Sequence, residues 1–176
     1  MRSMRVIGAT LVVLAAAGAI AYFAGALEPS ERRPGLLLRG EAVSEAVSDW
    51  RYSDADELVE LESRAPWLLA HSVTVVCATP NGRHLYVPSV YSAGDGGFPA
   101  ARLWNRNVVR DPNVRIRIAG KLYERRAVLV TDEGERAEAF AAFAAKYDAW
   151  AEWHAAPPEE RPTVAFVRLD PRDSAP

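Results

Sequence analysis

Val114-Arg115-Ile116-Arg117-Ile118-Ala119-Gly120-Lys121-Leu122-Tyr123 decides the fold. Val114, Ile116 and Ile118 recur with period two, so one face of a strand belongs to a core and the other carries Arg115 and Arg117. Ala119-Gly120-Lys121 turns the chain, and residues 122–130 pair back as the second arm of a hairpin. A second hairpin is expected upstream. Ser72 to Ala78 is β-branched and apolar, Pro80-Asn81-Gly82-Arg83 follows, and Asn-Gly is a strong hairpin signal. The return arm is His84 to Tyr91, where Pro88 cannot donate to a ladder and so marks an edge or a bend. Two antiparallel hairpins around a short helix fit a small barrel better than a doubly wound parallel sheet, which needs helical crossovers. The expectation is an α+β fold, a small closed or half-open barrel of antiparallel strands with flanking helices.

Further out, residues 58–62 read as a first strand ended by Pro66, and residues 92–97 as a loop with three glycines. A helix is expected over Pro99 to Arg110, because proline suits a first turn and Asp111-Pro112 stops it. Asp132 and Glu135 form a capping-box pattern, and the helix after them puts Phe140, Phe143 and Tyr147 on one face. Pro157-Pro158 breaks it, and Thr163 to Leu169 is a last strand. The chain divides as 1–27 membrane anchor or signal sequence, 28–49 linker, 50–171 barrel domain and 172–176 polar tail.

Arg2 and Arg5 precede 22 residues, Val6 to Leu27, without a charged side chain. As a helix that run is about 33 Å long at ~1.5 Å per residue, enough to cross a hydrocarbon core of ~30 Å. Basic residues before it and Glu28 and Glu31 after it place the rest of the chain on the outer, periplasmic or extracytoplasmic side of a single-pass membrane protein. Ala24-Gly25-Ala26 keeps a cleaved signal peptide as the competing reading.

Composition narrows the chemistry. Without residues 1–27 the chain holds 19 basic and 23 acidic residues, a net of −4, which argues against nucleic acid. One cysteine, Cys77, forms no internal disulfide and shares a strand face with Val73 and Val75 as a core side chain. His71, His84 and His154 lack ligand spacing, so no metal site is expected. Arg102, Arg106 and Arg110 form a basic stripe at i, i+4, i+8, either a solvated face, a patch for anionic headgroups or a seat for an anionic ligand.

Trp104-Asn105-Arg106-Asn107-Val108-Val109-Arg110-Asp111-Pro112-Asn113-Val114 resembles the helix-to-strand passage of the split β-barrel, pyridoxamine-phosphate-oxidase-like superfamily. The resemblance is closer to its deazaflavin-dependent nitroreductase branch. That branch has a tryptophan, an asparagine three residues on, Asn/Asp-Pro, then V-x-V-x-I-G-G-x-x-Y, and Val114 to Tyr123 follows the same course. The chain departs from it in two places. Leu103 and Trp104 stand where the oxidases place an Arg/Ser-Lys pair, with Arg102 one residue earlier. The basic Gly/Ser-rich turn is reduced to Pro80-Asn81-Gly82-Arg83.

The resemblance implies a split barrel, an FMN or deazaflavin cofactor held by Arg83, Tyr86, Arg102, Trp104 and Asn107, and a homodimer with clefts at its interface. It implies an oxidoreductase acting on a small molecule. The two departures leave open a non-enzymatic module for a lipid, haem or small anion, or a scaffold built on the same barrel.

Overall fold

The computed structural model describes residues 14–18, 28–30, 33–92 and 94–172. Along residues 28–172 run seven strands: β1 (Glu41–Val43), β2 (Val59–Arg64), β3 (Ala70–Val75), β4 (Leu85–Tyr91), β5 (Asn113–Ile118), β6 (Lys121–Leu129) and β7 (Thr163–Pro171). Three α-helices accompany them: α1 (Leu103–Arg110), α2 (Glu133–Lys146) and α3 (Asp148–Ala155).

The β5–β6 hairpin forms as its pattern predicts. Ile118 pairs with Lys121, and Ala119 (φ 48°) and Gly120 (φ 77°) both take the left-handed region that suits a twisted two-residue turn. Val114, Ile116 and Ile118 are buried while Arg115 and Arg117 lie on the other face. The sheet runs in the order β3-β2-β5-β6-β7-β4. Every pairing along that path is antiparallel. β1 alone runs parallel, beside Lys121–Tyr123 of β6, while β7 takes Arg125–Leu129. The sheet curls until its end strands approach at one point, where Ala78 and Tyr86 exchange backbone hydrogen bonds of 3.2 and 2.9 Å. This is a split β-barrel with flanking helices.

The expected 72–91 hairpin is corrected. Asn81-Gly82 does turn, with Gly82 at φ 77° and the Asn81 side chain accepting from the Arg83 N–H. But β3 pairs with β2 and β4 with β7 over its whole length. A turn signal fixes a reversal, not the strand that each arm then pairs with. The helix expected from Pro99 begins instead at Leu103. Gly96 and Gly97, at φ 81° and 67°, carry the chain through a turn first, and Arg102 is the extended residue before the helix. The stretch expected as a linker is packed onto the sheet from Gly35. Gly35 and Ser72 exchange backbone bonds, and buried Leu38 donates its N–H to Glu62 Oε2 at 2.7 Å.

Two cores result. Leu61, Leu85, Val87, Ile116, Ile118 and Leu169 fill the barrel interior with Trp104 and Val108 from α1. On the outer face of β4 and β7, Phe143, Trp150 and Phe166 pack beneath α2 and α3, with the Phe143 and Trp150 rings stacked at 4.6 Å. Asp132 caps α2 by accepting from the Glu135 N–H, as its pattern predicts. Lys146 and Tyr147 pin the end of α2 to the sheet through the Cys77 carbonyl, at 3.1 and 2.9 Å. The expected anchor, residues 1–27, lies outside the described residues except for a helical stretch at 14–18. Among the described residues no helix is long and apolar enough to cross a membrane.

Candidate functional site

Where β3 and β4 diverge from the Ala78–Tyr86 contact, the barrel is open and a cleft of about 660 Å³ lies between them. That is within the ~300–1,000 Å³ range of small-molecule pockets. β3 and the residue after it supply Val73, Val75 and Val76, β4 supplies Pro88 and Val90, and the start of α1 with the residue before it supplies Arg102, Leu103 and Trp104. His71, Arg33, Pro34 and Trp150 complete the rim.

Backbone parity shapes the cleft. Tyr86 turns its N–H and carbonyl toward Ala78, so by strand alternation Pro88 and Val90 turn theirs into the opening. Pro88 has no N–H to leave unpaired there. The Val90 carbonyl accepts from Arg102 Nη2 at 2.8 Å, which holds the guanidinium at the cleft mouth. Trp104 is buried on the helical face that also carries Val108, so one indole both closes the barrel and walls the cleft.

The charge is one-sided. Arg33 and Arg102 line the cleft beside His71, and among the described residues no carboxylate side chain does. His71 Nδ1 is buried without a hydrogen-bond partner among the described residues. Burial holds its imidazole below the ordinary histidine range, so it is neutral at pH 7. A neutral ring with a free nitrogen, two guanidinium groups and apolar walls suit a flat, partly apolar ligand with an anionic end.

The five residues expected from sequence separate. Arg102 and Trp104 meet in the cleft. Asn107 is fully buried and donates to Ser63 Oγ at 3.1 Å, and Ser63 donates in turn to the His71 carbonyl at 3.3 Å. It acts on the cleft only through the placing of His71. Tyr86 points to the outer face, where its hydroxyl donates to Glu135 Oε1 at 2.9 Å and burial raises its pKa. Arg83 is exposed at the Asn81-Gly82 turn and is not among the cleft residues. His71, Arg33 and Trp150 were missed. Only His71 carried a signal, sharing strand parity with Val73 and Val75.

No metal-binding cluster occurs among the described residues. No curated protein sequence matches this chain. Among solved structures, the heme storage protein HutZ of Vibrio cholerae aligns over 70% of this chain and 88% of its own, at TM-score 0.50 and 11% identity. An F420-H2 dependent reductase aligns over 64% and 94%, at TM-score 0.45 and 22% identity. A FAD-binding protein of Mesorhizobium loti aligns over 80% and 94%, at TM-score 0.46 and 13% identity. The HutZ likeness speaks for the fold alone. The family model of F420H(2)-dependent quinone reductases matches residues 73–163, from the first cleft strand to the start of the last strand. That stretch is more than half of the chain, and the chain belongs to the F420H(2)-dependent quinone reductase family.

Proposed function

We propose that this chain is an oxidoreductase that holds a deazaflavin of the F420 type in the β3–β4 cleft and reduces a small acceptor. The observation that carries the reading is the cleft itself, which joins an indole wall to two guanidinium groups and an imidazole with no opposing carboxylate among the described residues. The family match adds the cofactor class.

The residues present fit such a group. Trp104 and the valines of β3 offer apolar surface to a flat ring. Arg33 and Arg102 offer charge-assisted hydrogen bonds to its anionic end, and Arg102 is already oriented by the Val90 carbonyl. When bound, a reduced deazaflavin supplies a hydride to an acceptor. His71 Nδ1, unpartnered among the described residues, is free to hydrogen-bond a polar atom of the bound group. The chain's own part is to bind, orient and keep water out.

A second copy of the chain is the proposed further wall of the cleft, giving a homodimer. The Val6–Leu27 run is the proposed single-pass anchor, with the domain on the extracytoplasmic side.

The test is a fluorescence titration of the purified chain with oxidised F420. Micromolar or tighter binding that Arg102→Ala weakens supports the reading. No binding of F420 or FMN, together with a Soret band on adding haem, would overturn it in favour of a haem-binding module.

A further inference from the structure

We propose that the tip of the β2–β3 hairpin, with the adjoining stretch Leu36-Leu37, is a wedge that inserts into a bilayer carrying anionic headgroups. At the tip, Leu68 is 79% exposed and Leu69 61%. Beside it, Leu36 is 49% exposed and Leu37 40%. Leu37 and Leu68 are neighbours, since they flank one depression whose other walls are Ala70, Val114 and the charged side chains of β2, β5 and β6, Arg64 among them. The Gly35–Ser72 backbone pair holds Leu36 and Leu37 beside the hairpin's base. Single exposed leucines need no explanation, but a contiguous apolar patch at a protruding turn does.

The backbone adds a second, independent observation. Leu68 sits at φ 61°, in the left-handed region. That conformation is disfavoured for a residue with a Cβ, and glycine would avoid the cost. Here the strained position holds a large apolar side chain turned to water. Strain kept at an exposed apolar tip points to function.

Two features select a bilayer as the occupant. Eight residues lie between Leu27, the end of the uncharged run, and Leu36, so the two are at most about 32 Å apart along extended chain. On the anchor reading given above, the patch cannot lie far from the membrane surface. The second feature is charge. Arg64 flanks the tip in sequence, Arg110 donates to the Arg64 carbonyl, and Arg33 precedes Leu36 closely. The carboxylates nearest the depression, Glu62 and Glu124, are taken up by Arg115 and Arg172. Exposed leucines at a turn flanked by Arg64 and Arg110 suit the interface of an anionic bilayer.

The inference rests on the anchor reading and not on the cofactor. Its test uses the full chain in vesicles of mixed zwitterionic and anionic lipid doped with a nitroxide-bearing lipid. An environment-sensitive fluorophore is placed at Leu68→Cys or, as a control, at Glu138→Cys on the exposed face of α2; the native Cys77 is buried. Quenching several-fold stronger at position 68, and lost when Leu69→Asp and Arg64→Glu are added, is the expected result. Equal quenching at both sites on vesicle-bound protein overturns the wedge and leaves the anchor standing. A chain that does not float with vesicles overturns both, and label-to-label contact at position 68 without quenching assigns the patch to a second copy instead.

Discussion

The arginines of the sheet and the arginines around the cleft do different things. On the sheet's outer face Arg115 holds Glu62 through both carboxylate oxygens, at 2.6 and 2.7 Å. Arg117 reaches Glu60 and Glu28, and Arg168 reaches Glu135 and Asp170. Hydrogen bonds to Glu60 and to Asp170 hold the Arg117 and Arg168 guanidinium groups still more firmly protonated. Around the cleft and along α1, Arg33, Arg102, Arg106 and Arg110 have no carboxylate within ion-pair distance among the described residues. Arg102 and Arg110 donate to carbonyls instead. The first set is neutralised within the fold, and the second leaves its charge for something outside it.

That contrast is broken most severely by removing a partner from the first set. Glu62 is nearly buried, accepts three bonds from Arg115 and caps the Leu38 N–H. Glu62→Ala strands these donors and is expected to cost about 2–3 kcal/mol. Urea denaturation should show it as a lower midpoint, with F420 affinity at saturating folded protein unchanged. The second set should behave in reverse. Arg102→Ala is expected to weaken F420 binding about tenfold, or ~1.4 kcal/mol, while stability moves by less than ~0.5 kcal/mol. Arg102→Lys should fall between, since it keeps the charge without the planar fork. Arg106→Ala, whose exposed guanidinium meets no partner among the described residues, should move both quantities by less than ~0.5 kcal/mol. If Arg106→Ala weakened binding as much as Arg102→Ala, the cleft's mouth would have to extend along α1.

The two sets were not separable by reading the chain. Arg102, Arg106 and Arg110 fall on one helical stripe, and spacing alone gives a solvated face and a ligand seat the same pattern. Local periodicity did place the β5–β6 hairpin, the cap of α2 and the last strand, because each depends on residues near in sequence. It failed for β3, which turns back on the preceding strand β2 through residues 65–69, and for β4, whose partner β7 is set by long-range packing. The same failure hid the cleft, which exists because β3 and β4 meet only at Ala78 and Tyr86. Trp104 stands in the helix-to-strand motif and Arg102 just before it, and both line the cleft, whereas strand parity alone does not say which face Tyr86 takes, and its hydroxyl meets Glu135 on the outer one. Arg33 was unreadable, since it belongs to a stretch that looks like a linker until Gly35 pairs with Ser72.

The smallest expected effect sharpens the comparison most, because it reads the cleft's field directly. Burial lowers the His71 pKa below its ordinary 6.5. Between that lowered value and about 6.5 the unfolded chain binds more protons than the folded one, so His71 makes stability rise with pH through this window and fall as pH drops. Half-burial keeps the slope shallow, and His71→Gln should remove it from urea midpoints measured across the window. An anion in the cleft acts in the opposite direction, because it favours the imidazolium facing it. F420 binding should therefore take up a proton at His71, and affinity should strengthen as pH falls below about 6.5. Histidine NMR titrations with and without F420 measure both shifts on one ring. A His71 pKa lowered in the free chain and raised by ligand would tie the acid-free lining to the ligand's charge. A pKa that ligand leaves unmoved would place the anionic end away from His71, against Arg102 alone.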